Sequence, residues 1–499
     1  MHRRFASRLG HALGRLAVLC LACAAQALWS NEYSEQRDDV LGTTFSVTLV
    51  GLADARAQQV SAAILAEIAR LENVFSTYRD DSELSRLNRN KGAGQLSPEL
   101  ASVLSLCEEW REKTANGFSC RLGGITALWR KSAEAGDEVP DRTALRKVAR
   151  QVAAAPWELS AGGMTLHDME LDPSGLAKGF IIDQALARAR ALAPEATGIK
   201  IDIGGDGVYW GANDSGQPWR VAIAEPRHSA DNDRYRDGRG DILALDSRAV
   251  AFSGHSRRHW QIASHRFSHI LNPEDGWPVT ASVSAVVVAK DVVTADALAT
   301  ALTVMPIAAG VELVDRLPDV EAMIMTESGK TFASGGWYSL LIPDDRHPPL
   351  WDDTMHFLVE YQVPAHNVAE YRRPYAALWI TDGDKHLVRQ LVVHGDSLRW
   401  LREVPLWWRR HGRHDESAID GLARPTPAPG QHMVVWDGRD DRGRKVPEGN
   451  YVLHLEAARE HGGRELVTVP FMLNGEAFER QVQGEKELGR VRVSFSPSS

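Results

Sequence analysis

The amino-acid sequence predicts an α+β domain followed by an all-β, Ig-like sandwich. Up to about residue 340, segments with helical spacing of apolar residues mix with strand-like segments, without the strand–helix–strand repeat of a doubly wound sheet. Beyond that point the apolar runs are short and are separated by turn signals such as Asp382-Gly383-Asp384, which is typical of a sandwich. The composition changes across 342–353, a stretch rich in proline and aspartate. We therefore place the two domains at 28–345 and 350–499.

The elements of the first domain follow from the spacing of apolar residues. Val60, Ile64 and Ile68 recur at helical intervals, which predicts a helix over about 53–75. Thr294 is a good N-cap residue and Pro306 favours a break, so a helix is expected from Ala295 to about Met305. The other predicted elements are strands at 44–50, around Val208, at 219–225 and at 283–289, and helices near 97–114, 177–192 and 307–317.

Short apolar runs predict the strands of the second domain, at 357–361, 375–380, 387–393, 433–436 and 451–455. The segment Trp436–Tyr451 resembles the W-D-G…G…P-x-G-x-Y hairpin of Ig-like modules. Most of the tryptophans Trp400, Trp407 and Trp408 are expected in the core. The segment 409–414 is expected to be a solvated loop.

The first 27 residues have the pattern of an export signal. Four arginines precede the apolar run 16–25, and Ala25-Gln26-Ala27 resembles a cleavage site. This pattern predicts an exported protein. A lipid anchor through Cys23 is an alternative that the preceding residues fit less well.

Charge and cysteine content restrict the function classes. The net charge of −9 falls to −13 without the four arginines of the signal. A general nucleic-acid binder needs a basic face, so this class is disfavoured. Loss of the signal leaves Cys107 and Cys120, which can pair in an oxidising compartment, although two separate free thiols fit the sequence as well.

Asp296 and Thr300 form the first candidate site. They stand at positions i and i+4 of a predicted helix, so a carboxylate and a hydroxyl lie on one face. Two such hard oxygens suit Mg²⁺. An acidic residue near a helix start also stabilises the helix by itself, so this pair alone does not establish a site.

Three further segments are candidates on their own. Leu171–Asp183 leads through glycines into a helix that carries Lys178 near its start, an arrangement that suits a phosphate, although a plain tight turn fits equally well. Asp202–Gly207 is a glycine turn, but no helix follows, so it is not a dinucleotide-binding fingerprint. His269 lies beside a turn and could act as a base, whereas loop histidines are more often surface residues.

The order of the motifs is more specific than any one of them. Taken together, they resemble the FAD:protein FMN transferase family (ApbE-type), over about residues 35–340. The region beyond is similar to an uncharacterised domain found fused to exported flavin transferases. The matching segments are Gly42–Phe45, Phe75–Asn88, Asp172–Asp183, Gly204-Gly205-Asp206, Ser253-Gly254, His269-Ile270 and Ala295–Thr300.

This resemblance implies that the chain binds FAD and a divalent cation, usually Mg²⁺. It implies transfer of FMN to a Thr or Ser hydroxyl of an exported redox protein, with release of AMP. By match to the family motifs, Asp296, Thr300 and the carbonyl of Gly175 would hold the metal, and His269 would activate the hydroxyl. FAD contacts are implied for Leu41, Tyr78, Arg121, Leu122, Gly123, Asp172, Lys178 and Ile270. Asn272 stands where the family pattern has Asp.

The resemblance also implies a location and a partner. The location would be the bacterial periplasm, and the partner a membrane-bound or exported redox protein with a Thr or Ser acceptor site. Inner-membrane association is kept as an alternative, and no nucleic acid is expected. Acceptor sequences of that family read Asp-Gly-x-Ser/Thr-Gly/Ala-Ala/Ser-Thr. Two other functions stay open, namely hydrolysis of FAD to FMN and AMP, and a non-catalytic FAD-binding or assembly role.

Overall fold

The computed structural model describes residues 32–497 apart from 93, 137, 161–162, 224–240, 255–258, 280–282, 343–354, 369–370, 396–398 and 461. The predicted export signal with Cys23 and most of the predicted boundary at 342–353 lie outside the described residues. Within the described residues, no helix combines the length and apolar character needed to cross a membrane.

The first domain is built on one eight-stranded sheet whose neighbouring strands are all antiparallel. The order across this sheet is β1-β2-β5-β6-β9-β12-β13-β14. The bounds are β1 (Glu32–Val40), β2 (Thr43–Val50), β5 (Gly198–Ile203), β6 (Asp206–Gly211), β9 (Arg248–Gly254), β12 (Ser284–Ala289), β13 (Glu321–Met325) and β14 (Thr331–Ala333). Three two-stranded pairs flank it: β3 (Glu158–Ser160) with β4 (Gly163–Thr165), β7 (Trp219–Ala222) with β8 (Ile242–Leu245), and β10 (His259–Ile262) with β11 (His265–Ser268).

Helices cover one face of this sheet, which confirms the predicted α+β class. The predicted helical spacing is confirmed in α1, where Val60, Ile64 and Ile68 are buried. The helix α6 is enriched in alanine and glycine and packs against both α1 and α7. The helices are α1 (Asp54–Phe75), α2 (Glu83–Arg89), α3 (Pro98–Lys113), α4 (Gly123–Ala135), α5 (Arg142–Ala154), α6 (Ser174–Leu192), α7 (Val292–Leu302) and α8 (Ile307–Asp315).

The start of α7 differs from the prediction. The N-cap is Asp291, not Thr294, and its side chain accepts a hydrogen bond from the Thr294 backbone N–H. Asp183 of α6 accepts from the N–H groups of Val292 and Val293, at 2.9 and 3.0 Å. The first N–H groups of the helix are thus satisfied by two carboxylates, one of them remote in sequence, so the helix begins earlier than local capping rules predict.

Cys107 of α3 and Cys120 form a disulfide. Both side chains are 1% exposed, and the closed loop spans a sequence separation of 13. The structure thus decides between the two alternatives that the sequence left open, in favour of the pair.

The double substitution Cys107→Ser and Cys120→Ser is expected to lower the free energy of unfolding by about 3 kcal/mol, because the unfolded chain regains the entropy of the open loop. Urea denaturation measures this loss, and dithiothreitol should reproduce it in the wild type. An unchanged midpoint in the double variant would contradict the prediction.

The second domain is a two-sheet sandwich, as predicted. One sheet has the order β19-β15-β23-β22 and the other β18-β17-β16-β20-β21. Phe357, Trp436, Leu453, Phe471 and Phe495 fill the space between them. The bounds are β15 (Met355–Val363), β16 (Tyr375–Asp382), β17 (Leu387–His394), β18 (Ala423–Arg424), β19 (Gly430–Trp436), β20 (Gly449–Ala458), β21 (Arg464–Leu473), β22 (Phe478–Gln483) and β23 (Arg490–Pro497).

Two short helices, α9 (Pro405–Arg410) and α10 (Glu416–Leu422), cover the second sheet. The segment 409–414 is therefore not the predicted loop, since it comprises the end of α9 and a 3₁₀ turn at Gly412–His414. Trp407 is fully buried, as expected, whereas Trp400 and Trp408 are half-buried.

The sandwich is attached to the loop between β13 and β14 by buried polar contacts. The Lys330 ammonium, 3% exposed, pairs with the carboxylate of Asp441. The backbone N–H of Thr331 donates to the Asp441 carbonyl at 2.7 Å. Phe332 packs so tightly against Gly421 that a Cβ there would lie 2.4 Å from its ring.

Candidate functional site

The candidate site lies where several turns meet at one end of the eight-stranded sheet. The turn between β1 and β2 holds Leu41, half-buried and with a φ of +53°. Beside it is the turn between β5 and β6, where the Gly204 N–H donates to the Thr44 carbonyl at 2.8 Å. A Cβ at Gly204, whose φ is +64°, would lie 2.8 Å from Thr43, so this contact between the turns requires glycine.

Asp206, the first residue of β6, points to the helix-covered face of the sheet. It is 1% exposed and pairs with the ammonium of Lys178, on the second turn of α6. Its other oxygen accepts from the Phe252 N–H at 2.8 Å. Lys178 is about one quarter exposed, so its charge lies between a buried carboxylate and the surface at the start of α6.

Asp296 lies on α7 and is 5% exposed. One of its oxygens accepts from the Gly179 N–H at 3.1 Å. A Cβ at Gly179 would lie 2.5 Å from the carbonyl of Val292, so only glycine permits α6 and α7 to cross this closely. The crossing brings Asp296 beside the residue that follows Lys178.

The pKa of Asp296 is raised to about 8. Burial is the largest cause, since it penalises the ionised carboxylate, and the negative charges of Asp206 and Asp183 add to it. Lys178 and the Gly179 hydrogen bond offset only part of this effect. Burial also raises the pKa of Asp183, to about 7. The carboxylates of Asp206, Asp183 and Asp296 are therefore close enough to interact, and Lys178 offsets part of the negative charge near Asp296.

Thr300 lies one helical turn after Asp296, on the same side of α7. Its hydroxyl is 3.5 Å from the carbonyl oxygen of Gly175 and 3.4 Å from the hydroxyl of Ser253. The three predicted metal ligands are therefore near one another, with Ser253 as an additional oxygen. Hard oxygens beside an excess of buried negative charge are the environment that a cation such as Mg²⁺ requires.

The segment that leads into α6 is held in place by residues 119–123. The N–H of Asp172 donates to the Cys120 carbonyl at 2.8 Å, and that of Gly123 to the Glu170 carbonyl at 2.9 Å. The Asp172 carboxylate accepts from the Ser174 N–H at 3.1 Å, at the first turn of α6. Leu122 is buried between these groups and the core. The disulfide at Cys120 thus stabilises the wall of the candidate site.

The side chain of Arg121 has a structural role. Its guanidinium is 4% exposed, pairs with Glu108, and donates to carbonyl groups at the end of α5, including that of Ala155 at 2.6 Å. It also lies over the ring of Trp157. Both terminal nitrogens of the guanidinium are engaged by these contacts, and the side chain is almost inaccessible, so we assign any contact of Arg121 with a ligand to its backbone.

His269 and Ile270 follow β11 and begin a compact turn. Ile270 is 7% exposed and accepts at its carbonyl from the Val279 N–H, whereas His269 is half-buried. The side-chain oxygen of Asn272 accepts from the Glu274 N–H at 2.9 Å. An aspartate oxygen would make the same bond, so Asn272 retains the turn although it lacks the charge.

Tyr78 lies on the loop after α1 and is 76% exposed. The guanidinium of Arg130 lies 4.4 Å from the centre of its ring, and the other face is available for stacking. The structure thus brings together Lys178, Gly175, Asp296 and Thr300, with Asp172 at the start of the same helix. Tyr78 and His269 lie on separate loops.

Sequence reasoning missed Asp206, Asp183 and Ser253 as members of the cluster. The double glycine before Asp206 was a visible signal, because it marks a tight turn at a strand end. Asp183 had none, since a carboxylate in the middle of a helix gives no sign that it caps a second helix.

Comparison with known proteins gives a consistent picture. The model of the ApbE family matches residues 41–324, and a family described as "Predicted periplasmic protein (DUF2271)" matches residues 356–490. A FAD:protein FMN transferase of Vibrio cholerae is 30% identical, over 60% of this chain and 90% of the relative. Another, of Salmonella typhimurium, is 28% identical, over 66% of this chain and 97% of the relative.

Solved structures show the same fold for the first domain. The crystal structure of the ApbE protein of Thermotoga maritima matches with a TM-score of 0.54 at 24% identity, and covers 62% of this chain and 100% of that one. The flavin transferase ApbE of Vibrio cholerae matches with a TM-score of 0.52 at 24% identity, with the same coverage.

Proposed function

The chain belongs to the ApbE family, and from this membership we propose that it is a Mg²⁺-dependent FAD:protein FMN transferase. It moves FMN from FAD to a Thr or Ser hydroxyl of an exported redox protein and releases AMP. The observation that carries the proposal is the cluster of the buried Asp296 with the half-buried Thr300 and Lys178, located within the part of the chain that the family model matches.

The metal fits the residues present. Burial and then the negative charge of Asp206 raise the pKa of Asp296, and the positive charge of Lys178 offsets only part of this rise. Asp296, Thr300 and the carbonyl of Gly175 would hold Mg²⁺, and Ser253 lies close enough to contribute. When bound, the ion would neutralise negative charge on the FAD pyrophosphate.

The chain's own residues bind and orient the dinucleotide. Lys178 and the N–H groups at the start of α6 suit the pyrophosphate. Tyr78 offers a stacking surface, and Ile270 an apolar wall. The remaining proposed FAD contacts are Leu41, Leu122, Gly123, Asp172 and the backbone of Arg121.

The transfer is a phosphoryl substitution. The acceptor hydroxyl oxygen attacks the phosphorus of the FMN half and forms the new P–O bond. The bond from that phosphorus to the bridging oxygen breaks, and AMP leaves with this oxygen. We assign the hydroxyl proton to His269, which lies on the loop after β11 and acts as a general base.

The activity is tested by incubating the chain with FAD, Mg²⁺ and a peptide that carries an acceptor sequence, followed by mass spectrometry. A mass gain equal to FMN on the peptide, with equimolar AMP, is the expected result. Release of AMP at the same rate without peptide would indicate an FAD pyrophosphatase. Bound FAD without any AMP would indicate a non-catalytic FAD-binding module.

We also propose that the protein is exported to the periplasm, with residues 1–27 as its signal and the domains at 28–345 and 350–499. The disulfide supports this location, because such bonds persist in oxidising compartments. The second family match, described as a predicted periplasmic protein, points the same way.

Binding of Mg²⁺ is expected to depend on pH through Asp296. Its carboxylate must lose a proton to bind the ion, and its pKa in the metal-free protein is about 8. The apparent affinity should therefore rise about tenfold per pH unit up to about pH 8 and then level off. Calorimetric titration of Mg²⁺ between about pH 6 and pH 9 measures this slope, and a flat profile would contradict it.

A further inference from the structure

The second domain lies at the same end of the eight-stranded sheet as the candidate site. Gly254, the last residue of β9, pairs with Ser284 at the start of β12. Ser284 pairs with Met325 at the end of β13, and Met325 with Thr331 at the start of β14. At about 4.8 Å per strand, β13 is about 10 Å from β9 and its Ser253. The loop that carries the sandwich is thus a neighbour of the site.

A hydrogen-bonded contact joins this loop to the helices of the sandwich. Asp415, the N-cap of α10, accepts from the hydroxyl of Thr326 at 3.1 Å and from that of Ser328. The residues just before Asp415 are the 3₁₀ turn that follows α9. This segment is therefore held beside the site end of the sheet.

A group of exposed arginines lies on this segment and on the stretch just before α9, which contains a 3₁₀ turn at Leu401–Glu403, and we name this group the basic surface. No carboxylate partner is present for any of its members among the described residues. Arg399 and Arg402 lie over the rings of Trp400 and Trp408. The basic surface consists of Arg399, Arg402, Arg409, Arg410 and Arg413.

We propose that the basic surface docks an acidic face of the acceptor protein, and so presents the acceptor hydroxyl to the site. This inference rests on the proposed function. The whole chain carries a net charge of −9, so an acidic partner is repelled elsewhere and attracted here. A bilayer is disfavoured as the occupant, because the large exposed apolar side chains among the described residues all lie outside 399–416.

The test uses two substrate peptides that share one acceptor sequence and differ in their tail, a run of Glu in one and of Gln in the other. The variant is the triple substitution Arg409→Glu, Arg410→Glu and Arg413→Glu. The matched control is Arg480→Glu, Lys486→Glu and Arg490→Glu, which makes the same charge change at exposed positions around β22 and β23. A second variant, Arg409→Gln, Arg410→Gln and Arg413→Gln, removes the three charges without reversing them. It tests the same surface if charge reversal causes misfolding.

The wild type is expected to show a KM about tenfold lower for the Glu-tailed peptide than for the Gln-tailed one. The triple variant should remove this preference and leave the KM for FAD unchanged, with an intermediate effect for the Gln variant. The control should retain the preference. Equal KM values for both peptides in the wild type, or an equal loss in the control, would overturn the proposal.

Two further measurements separate the remaining outcomes. If neither peptide receives FMN, the proposed function fails, and fluorescence anisotropy of the labelled Glu-tailed peptide decides on docking alone. Binding lost in the triple variant and kept in the control then supports the surface, and equal binding overturns it. The other outcome is that the triple variant loses binding to phosphatidylglycerol vesicles while its KM for the peptides equals that of the wild type. In that case the basic surface binds a membrane, and the proposal is overturned.

Discussion

The substitution Asp296→Asn is expected to reduce FMN transfer at least about 10³-fold, because it removes the charge of the proposed metal ligand, worth about 4 kcal/mol at the transition state. The same substitution should leave the metal-free protein at least as stable as the wild type at pH 8. The pKa of Asp296 is raised to about 8, above its ordinary value of 3.8, so its ionisation costs folding free energy increasingly as the pH rises through this range. Asparagine removes this cost and nearly preserves the shape.

Transfer rates and thermal unfolding with and without Mg²⁺ measure the two effects. The wild type should gain stability with Mg²⁺, and the Asn variant should not. A matched control is Asp291→Asn, since asparagine is also a good N-cap and can keep the hydrogen bond to Thr294. If Asp291→Asn and Asp296→Asn behave alike, Asp296 is not the ligand that we propose.

The second large effect is expected at the ion pair between the domains. The substitution Asp441→Leu should lower the free energy of unfolding by about 3–5 kcal/mol, because it leaves the ammonium of Lys330 buried without a counter-charge. Burial already lowers the pKa of Lys330 to about 8, and Arg389 adds a further positive charge nearby. Asp441 also accepts from the Gln390 N–H at 2.9 Å, so its loss affects both sides of the contact.

Denaturant unfolding followed by tryptophan fluorescence measures this loss. The double variant Lys330→Met and Asp441→Leu should recover most of the stability, because two apolar side chains of similar size replace the pair. A single variant as stable as the wild type would show that the pair is not buried in solution.

Much of the fold follows from local pattern, and the exceptions have physical reasons. The sequence predicted α1 because its buried residues keep helical spacing over six turns. It gave no sign of β1, whose charged residues show no apolar alternation and which is held at the sheet edge by its pairing with β2. It also missed α9. There Glu456, fully buried and about 50 residues away, accepts from the N–H groups of Leu406 and Trp407. Such a cap cannot be read from local sequence.

The site was predictable where residues are close in sequence. Asp296 and Thr300 are one turn apart, so their common face follows from helix geometry. The pairing of Lys178 with Asp206 depends on the order of strands in the sheet, which residue spacing does not encode. For Arg121 the motif position implied a contact with the ligand. In the folded chain the guanidinium instead holds the end of α5.

The close crossing at Gly179 has a consequence for motion in the protein. Where two backbones touch without intervening side chains, the helices cannot slide or tilt against each other without a clash. Lys178 and Asp296 therefore form a rigid unit. We therefore expect any movement of the site when a dinucleotide binds to occur outside this helix crossing, for example in the exposed loop of Tyr78 or in the turn at Leu41. An enzyme with this arrangement meets its substrates with charged groups already in place.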